Sequence, residues 1–230
     1  MSSTNAVTPV VAPVVESTLV STNVKVTGLS PLIMHCGQAA DPFNQFSRAM
    51  KKISSKRNKV DDDLIRLDGQ KWWAGLYTSE PAVIDDDGNV SIDPKAKLII
   101  PAHVLESCMR VGATKHKLGK AMSAGAIVEN DGTFEYEGPK DINKLFLDKR
   151  YESRFMAKIG TSKVPTVRPW FHVWSVTWDI QIDTSVIDPE QVYMAIAAAG
   201  KLAGIGDWRP GAPHGGHYGR FVIDSMNIVG

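Results

Sequence analysis

The clearest pattern along the chain lies between His172 and Ile182, HVWSVTWDIQI. Trp174, Val176, Trp178, Ile180 and Ile182 alternate with Ser175, Thr177, Asp179 and Gln181, the period of two that marks a half-buried strand. A second alternation occurs in VSTNVKVTGLSPLIM (20 to 34), with Val20, Val24 and Val26 on one side and Asn23, Lys25 and Thr27 on the other. The helical period appears twice. In LIIPAHVLESCMRVGATKHKLGK (98 to 120), Pro101 stands where a first helical residue belongs, and Val104, Leu105, Cys108 and Met109 repeat at helical spacing. In DPEQVYMAIAAAGKLAGIG, Asp188 predicts the cap, Pro189 the first turn and Gln191 the reciprocal capping contact, with Val192, Ile196 and Ala199 as the buried stripe and glycine at the end. AGAIVENDGTFEYEG predicts a strand or hairpin around its Asn-Asp-Gly turn, and FVIDSMNIV a last strand. The Ala-rich run from 195 to 203 is explained by close core packing.

Two stretches carry no sustained period. Residues 36–97 contain a basic run, GQKWWAGLY and the turn-rich DDDGNVSIDPK, and suggest an insertion with one helix and a short hairpin. Residues 139–170 mix charge, aromatics and three prolines and suggest a second insertion. With these set aside, the order is strand, helix, strand, strand, helix, strand. That order predicts an α+β fold with a ferredoxin-like or RRM-like βαββαβ core, in which two helices cover one face of a four-stranded antiparallel sheet. Residues 19–230 are expected to form one domain. The arm 1–18, free of Lys and Arg, is expected to be flexible.

Composition narrows the setting. Lys and Arg number 26 against 25 Asp and Glu, so no global field gathers anions and any anion site depends on local clusters. Two cysteines, no signal-peptide pattern and no apolar run near the roughly 20 residues of a membrane span predict a reduced, cytoplasmic protein without a membrane segment. No cofactor is implied. The pairs His35-Cys36 and His214-x-x-His217 match no zinc spacing, so no metal is expected.

Three clusters are candidates for nucleic-acid contact. FSRAMKKISSKRNK (46 to 59) offers Lys51, Lys52, Lys56 and Arg57 among six basic residues without an acid, a density that neutralises several phosphates. KRYESRFMAK (149 to 158) interleaves Lys149, Arg150, Arg154 and Lys158 with Tyr151 and Phe155, the mixture of charge and stacking surface that holds single strands. GIGDWRPGAPHGGHYGRF (204 to 221) has backbone freed by glycine, Arg209 and Arg220 for phosphates, and Trp208, His214, His217 and Tyr218 for stacking or hydrogen bonds. The three are expected to converge on the uncovered sheet face as a cationic trough. Each also has a structural reading: a solvated helix end balanced by Asp61 to Asp63, a hairpin with ordinary salt bridges, and a glycine-rich turn.

VKVTGLSPLIMHCG, LIIPAHVLESCMR and AGIGDWRPGAPHGGHYGRFVI together resemble the repeat-associated mysterious protein (RAMP) superfamily. The similarity is greatest to the backbone subunits that line guide RNA in CRISPR effector complexes. Ala102 stands where that family has glycine, and Asp41 is the acid nearest to the position used by members that cleave RNA. The resemblance implies a non-enzymatic subunit that binds a single strand, RNA in preference to DNA, with residues 139–170 as a projecting thumb and copies joined head to tail into a homo-oligomer, alongside other effector subunits. Two other readings stay open. One is a metal-independent endoribonuclease using His35, His214, His217 or Asp41; the other is an assembly protein, viral or cellular, that reuses the fold.

Overall fold

The computed structural model describes residues 18–159 and 161–229, apart from the side chains of 157–159, 162, 163 and 229. The expected arm therefore lies almost wholly outside the described residues. The chain is α+β. It opens with β1 (Leu19–Gly28) and the short β2 (Leu32–Ile33), followed by α1 (Gln45–Ser54) and α2 (Asp61–Ala74). A small hairpin, β3 (Val83–Ile84) with β4 (Val90–Ser91), leads to β5 (Ile99–Ile100). Then come α3 (Ala102–Thr114), α4 (Gly119–Gly125), β6 (Ala126–Val128), β7 (Gly132–Tyr136) and α5 (Ile142–Leu147). The long hairpin of β8 (Glu152–Ile159) and β9 (Ser162–Phe171) precedes β10 (Trp174–Asp183), α6 (Pro189–Leu202) and β11 (Phe221–Val229).

In the main sheet β1 lies between β11 and β10, and β10 pairs on its far side with both β6 and β7, all antiparallel. The alternation read from the chain decides the faces. Trp174, Val176, Trp178, Ile180 and Ile182 are buried together with Val24 and Val26, in one core cluster with Leu105 and Met109 of α3 and Val192, Ile196 and Ala199 of α6. The capping box at Asp188 and Gln191 forms as the sequence implies. α3 and α6 cross closely because Gly112 has no side chain: a Cβ there would lie 2.6 Å from the Ala199 nitrogen and collide with the Ala195 carbonyl oxygen.

Several expectations change. The stretch 36–97 holds two helices, not one; α2 buries Trp72 and Trp73, whose rings pack with Phe146 of the second insertion at centroid distances of 5.3 and 5.6 Å. The Asn-Asp-Gly segment is not a hairpin turn. Val128 pairs with Ile180 and Thr133 with Thr177, so five steps on one side match three on the other. Glu129 to Asp131 form a bulge between two strands that run along the same neighbour. The bulge has a use: the Asp131 carboxylate accepts from the Ala102 N–H at 2.9 Å and caps α3, where Pro101 is the cap residue and not the first helical one. The second insertion is α5 plus the β8–β9 hairpin, which adds to β2 as a separate three-stranded sheet.

Candidate nucleic-acid interface

The face of the main sheet away from α3 and α6 is half-exposed or exposed. It carries Asn23, Lys25 and Thr27 of β1, Ser175, Thr177 and Asp179 of β10, and Glu135 of β7. Asn23 donates to Asp179 at 2.6 Å, and the Thr27 hydroxyl donates to Asp224 of β11. Acids outnumber the single lysine, so this face repels polyanions and is not the cationic trough the sequence led us to expect.

Four of the expected cations, Lys56, Lys149, Arg150 and Arg154, are already engaged with acids. Lys56 meets Asp63 at 2.6 Å; Lys149 meets Glu152 at 2.7 Å; and Arg150 donates to both oxygens of Asp148. Arg154 binds Asp68 of α2 at 2.7 Å and Glu152 at 3.5 Å. These pairs add little stability, but they consume the local positive charge that the run of basic residues suggested. Tyr151 is a further correction: it is buried, packs on Tyr136 and Phe171, and donates its hydroxyl to the Glu137 carbonyl, so it has no face to offer a base. Lys51, Lys52 and Arg57 are exposed and make no ion pair among the described residues. α1 shares a groove with Asp85, Asp86 and Asp87, and no described contact joins it to residues 204–220. The Lys158 side chain lies outside the described residues.

Two of the three segments do meet. At the end of the sheet where β1 stops and β10 and β11 begin, the glycine-rich stretch lies against the β8–β9 hairpin. Gly219, at φ +65°, brings its backbone onto Ile205, where any Cβ would strike the Ile205 carbonyl oxygen. Gly219 N–H donates to the Pro31 carbonyl at 2.8 Å and Asp207 N–H to the Ile33 carbonyl at 2.8 Å, which ties the loop to β2. Ser153 pairs with Arg168 and Phe155 with Thr166, so Phe155, Arg168, Trp170 and His172 line the hairpin face toward the loop. Trp208 packs on Phe155 at 4.8 Å between ring centroids, Tyr218 meets Trp170 edge-on at 5.6 Å, and His172 stacks on Trp170 at 5.2 Å. Trp208 remains 45% exposed. Arg220 is exposed, its side chain unpaired among the described residues, while its backbone N–H donates to the Ser30 hydroxyl at 3.0 Å. His214 and His217 are exposed on the same loop, and no group of three or more His, Cys, Asp or Glu among the described residues could hold a metal.

Under the loop, one carboxylate oxygen of Asp207 lies 3.6 Å from His35 Nδ1 and 3.7 Å from Arg168 Nε. Trp170 Nε1 is buried without a hydrogen-bond partner among the described residues, at a cost of about 1–3 kcal/mol, whereas Arg168 Nε, beyond hydrogen-bond range, is compensated by the Asp207 carboxylate at 3.7 Å. Burial, and then the neighbouring Arg168, push the His35 pKa below its ordinary 6.5, against the pull of Asp207. Because the folded value lies below the unfolded one, neutral His35 contributes its full stability above about pH 6.5. That contribution drains away as pH falls from there toward the folded value. Denaturant titrations between pH 7 and pH 5 are expected to show this loss, with a flatter profile for His35→Gln; parallel profiles would contradict it.

Sequence reasoning overlooked Arg168, Trp170 and Asp207 as partners in this seam. Their signal was present as the alternation Thr166, Arg168, Trp170, His172, masked by Pro165 and Pro169 in a stretch read as irregular. Comparison with protein-family models finds none that matches the chain, and no curated protein sequence matches it. Among the described residues no helix is long and apolar enough to cross a membrane.

Proposed function

We propose that the chain binds one unpaired nucleic-acid strand, RNA in preference to DNA, in the seam between the glycine-rich loop and the β8–β9 hairpin. The observation that carries this reading is the seam's mixture of Trp208, Trp170, His172 and Tyr218 with Arg168 and Arg220. Aromatic faces that accept any base, beside cations that follow the backbone, suit single strands without demanding a sequence. The unpartnered Trp170 Nε1 donor adds a reason for a polar ligand there, beside an Arg168 whose charge is shared with Asp207. On this reading the strand passes the end of the sheet, not its open face, and the hairpin serves as the thumb.

The same reading takes the core as ferredoxin-like. The order β11, β1, β10, β6/β7, with the two-residue β5 added beyond β7 at the edge, and the two helices on one face support it. It also keeps the RAMP-type role, in which copies follow one another along the strand. Fluorescence anisotropy with a labelled single-stranded RNA is expected to show binding at low salt, weaker binding to duplex, and a log–log salt slope of about −1.4 to −2 for two or three neutralised phosphates. Complexes are expected to grow in mass with RNA length. Absence of single-strand binding at 50 mM salt would end the proposal.

One observation favours a second reading, metal-independent cleavage of the bound strand. His35 lies beside Asp207, and burial lowers its pKa, which favours the neutral form that a general base requires. Labelled RNA incubated with the protein in excess chelator separates the two, because products that vanish in His35→Ala would establish cleavage, and intact RNA would exclude it.

A further inference from the structure

Beside the seam, on the α3 side, a cavity of about 230 Å³ is lined by residues of β2's following loop, α3 and the glycine-rich stretch. Its polar groups are His35, Tyr77, His103, Ser107, Cys108 and Arg209, and none of its lining residues is an acid. This cavity is separate from the aromatic seam, although His35 borders both.

Each group has a definite state. Arg209 Nη1 donates to the Gly206 carbonyl at 2.9 Å, which orients the guanidinium; its other N–H groups have no hydrogen-bond partner among the described residues. The Cys108 thiol donates to the Gly204 carbonyl at 3.4 Å. Burial pushes that thiol up to about 12, so it brings no negative charge to the wall. Two carbonyl oxygens that would otherwise repel an anion are thereby occupied by Cys108 and Arg209. Tyr77 donates its hydroxyl to the His35 carbonyl at 3.1 Å and fixes that edge of the cavity. The Ser107 hydroxyl and the His103 ring are exposed and make no hydrogen bond among the described residues, which leaves both free to donate.

A guanidinium with free donors, a free hydroxyl and imidazoles around a space without carboxylates suit a compact dianion. The volume is below the ~300–1,000 Å³ of sites that enclose drug-sized ligands, so it takes a phosphate with little more than its sugar. We propose that the cavity binds the phosphate monoester of a nucleotide, anchored by Arg209 with Ser107 and His103 as further donors. The monoester belongs either to the end of a strand lying in the seam, in which case the inference rests on the function proposed above, or to a free mononucleotide.

The test uses the whole chain and four kinds of probe: a 12-residue RNA with a 5′-phosphate, the same RNA with a 3′-phosphate, the RNA with hydroxyl ends, and AMP against adenosine. Calorimetry is expected to show about tenfold tighter binding for at least one phosphorylated probe than for its dephosphorylated partner, the scale of one charge-assisted hydrogen-bonded contact. Arg209→Gln is expected to abolish that preference, and Ser107→Ala, a surface change that leaves folding intact, to reduce it. Preference confined to an RNA end identifies a strand terminus; preference for AMP alone identifies a free nucleotide. Equal affinities within every pair, or a preference that survives Arg209→Gln, would overturn the assignment. Hydroxyl-ended RNA that still binds in that event leaves the seam proposal standing, whereas AMP binding without any RNA binding removes the seam and keeps the cavity.

Discussion

Gly112→Ala is expected to lower stability by about 2–3 kcal/mol, visible as a fall of roughly 5–10 °C in the thermal midpoint of a chain of this size. The methyl group would have to occupy space held by α6 backbone: it would come within 2.6 Å of the Ala199 nitrogen and 2.7 Å of the Ala199 Cβ, and onto the Ala195 carbonyl. None of these is a flexible side-chain tip that can swing away. Alanine is the better helix former by about 0.5–1 kcal/mol, so the loss is what remains after that gain, and only a real separation of the helices relieves it. Gly37→Ala is the control, since a Cβ there meets nothing within 4 Å, and its effect is expected within about 0.5 kcal/mol. Equal stabilities for the two variants would show that the helices do not cross as closely as described.

Trp208→Gly is expected to separate binding from folding. Trp208 has φ +50°, a left-handed backbone that is an outlier for a bulky residue and costs about 1–3 kcal/mol. Glycine removes that strain while giving up the ring contact with Phe155, worth about 0.5–1.5 kcal/mol beyond its area. With the buried part of the ring's area also lost, and glycine's greater freedom favouring the unfolded chain, the thermal midpoint is expected to fall by a few degrees while the fold is kept. If a base stacks on Trp208, its loss weakens single-strand RNA binding by about 1–3 kcal/mol, roughly 5- to 150-fold. Anisotropy titrations alongside thermal melts decide it: unchanged affinity would take Trp208 out of the proposed interface.

What could be read in the chain depended on whether local pattern or distant partners governed a segment. β10 was legible because Trp174 to Ile182 alternate without interruption, and α6 because Asp188, Pro189 and Gln191 specify its start. α2 was overlooked because its first turn is Asp61, Asp62 and Asp63 and most of its buried residues gather in its last five positions, from Gln70 to Ala74. Its apolar side is defined by Phe146 and β9, far along the chain. Asn130-Asp131-Gly132 has the chemistry of a tight turn, yet pairing of both flanks with β10 made it a bulge.

The candidate site divided in the same way. Trp208, Tyr218 and Arg220 lie at the end of the sheet and not on the open face expected for them, and Arg154 is bound to an acid 86 positions earlier, Asp68, a partner that no local window contains. Tyr151 was misjudged because a tyrosine between basic residues looks the same on paper whether its ring points out or, as here, into the aromatic cluster with Phe171. The Arg168–Asp207–His35 group is assembled from three separate segments, so only the fold brings it into view.

The open face of the main sheet and the end beside it carry opposite signs of charge. With Asp179, Glu135 and Asp224 across the open face and Arg168, Arg209 and Arg220 gathered at one end, the molecule is polarised although its net charge is close to zero. On the function proposed above, this asymmetry would turn the arginine end, and not the acidic face, toward a polyanion.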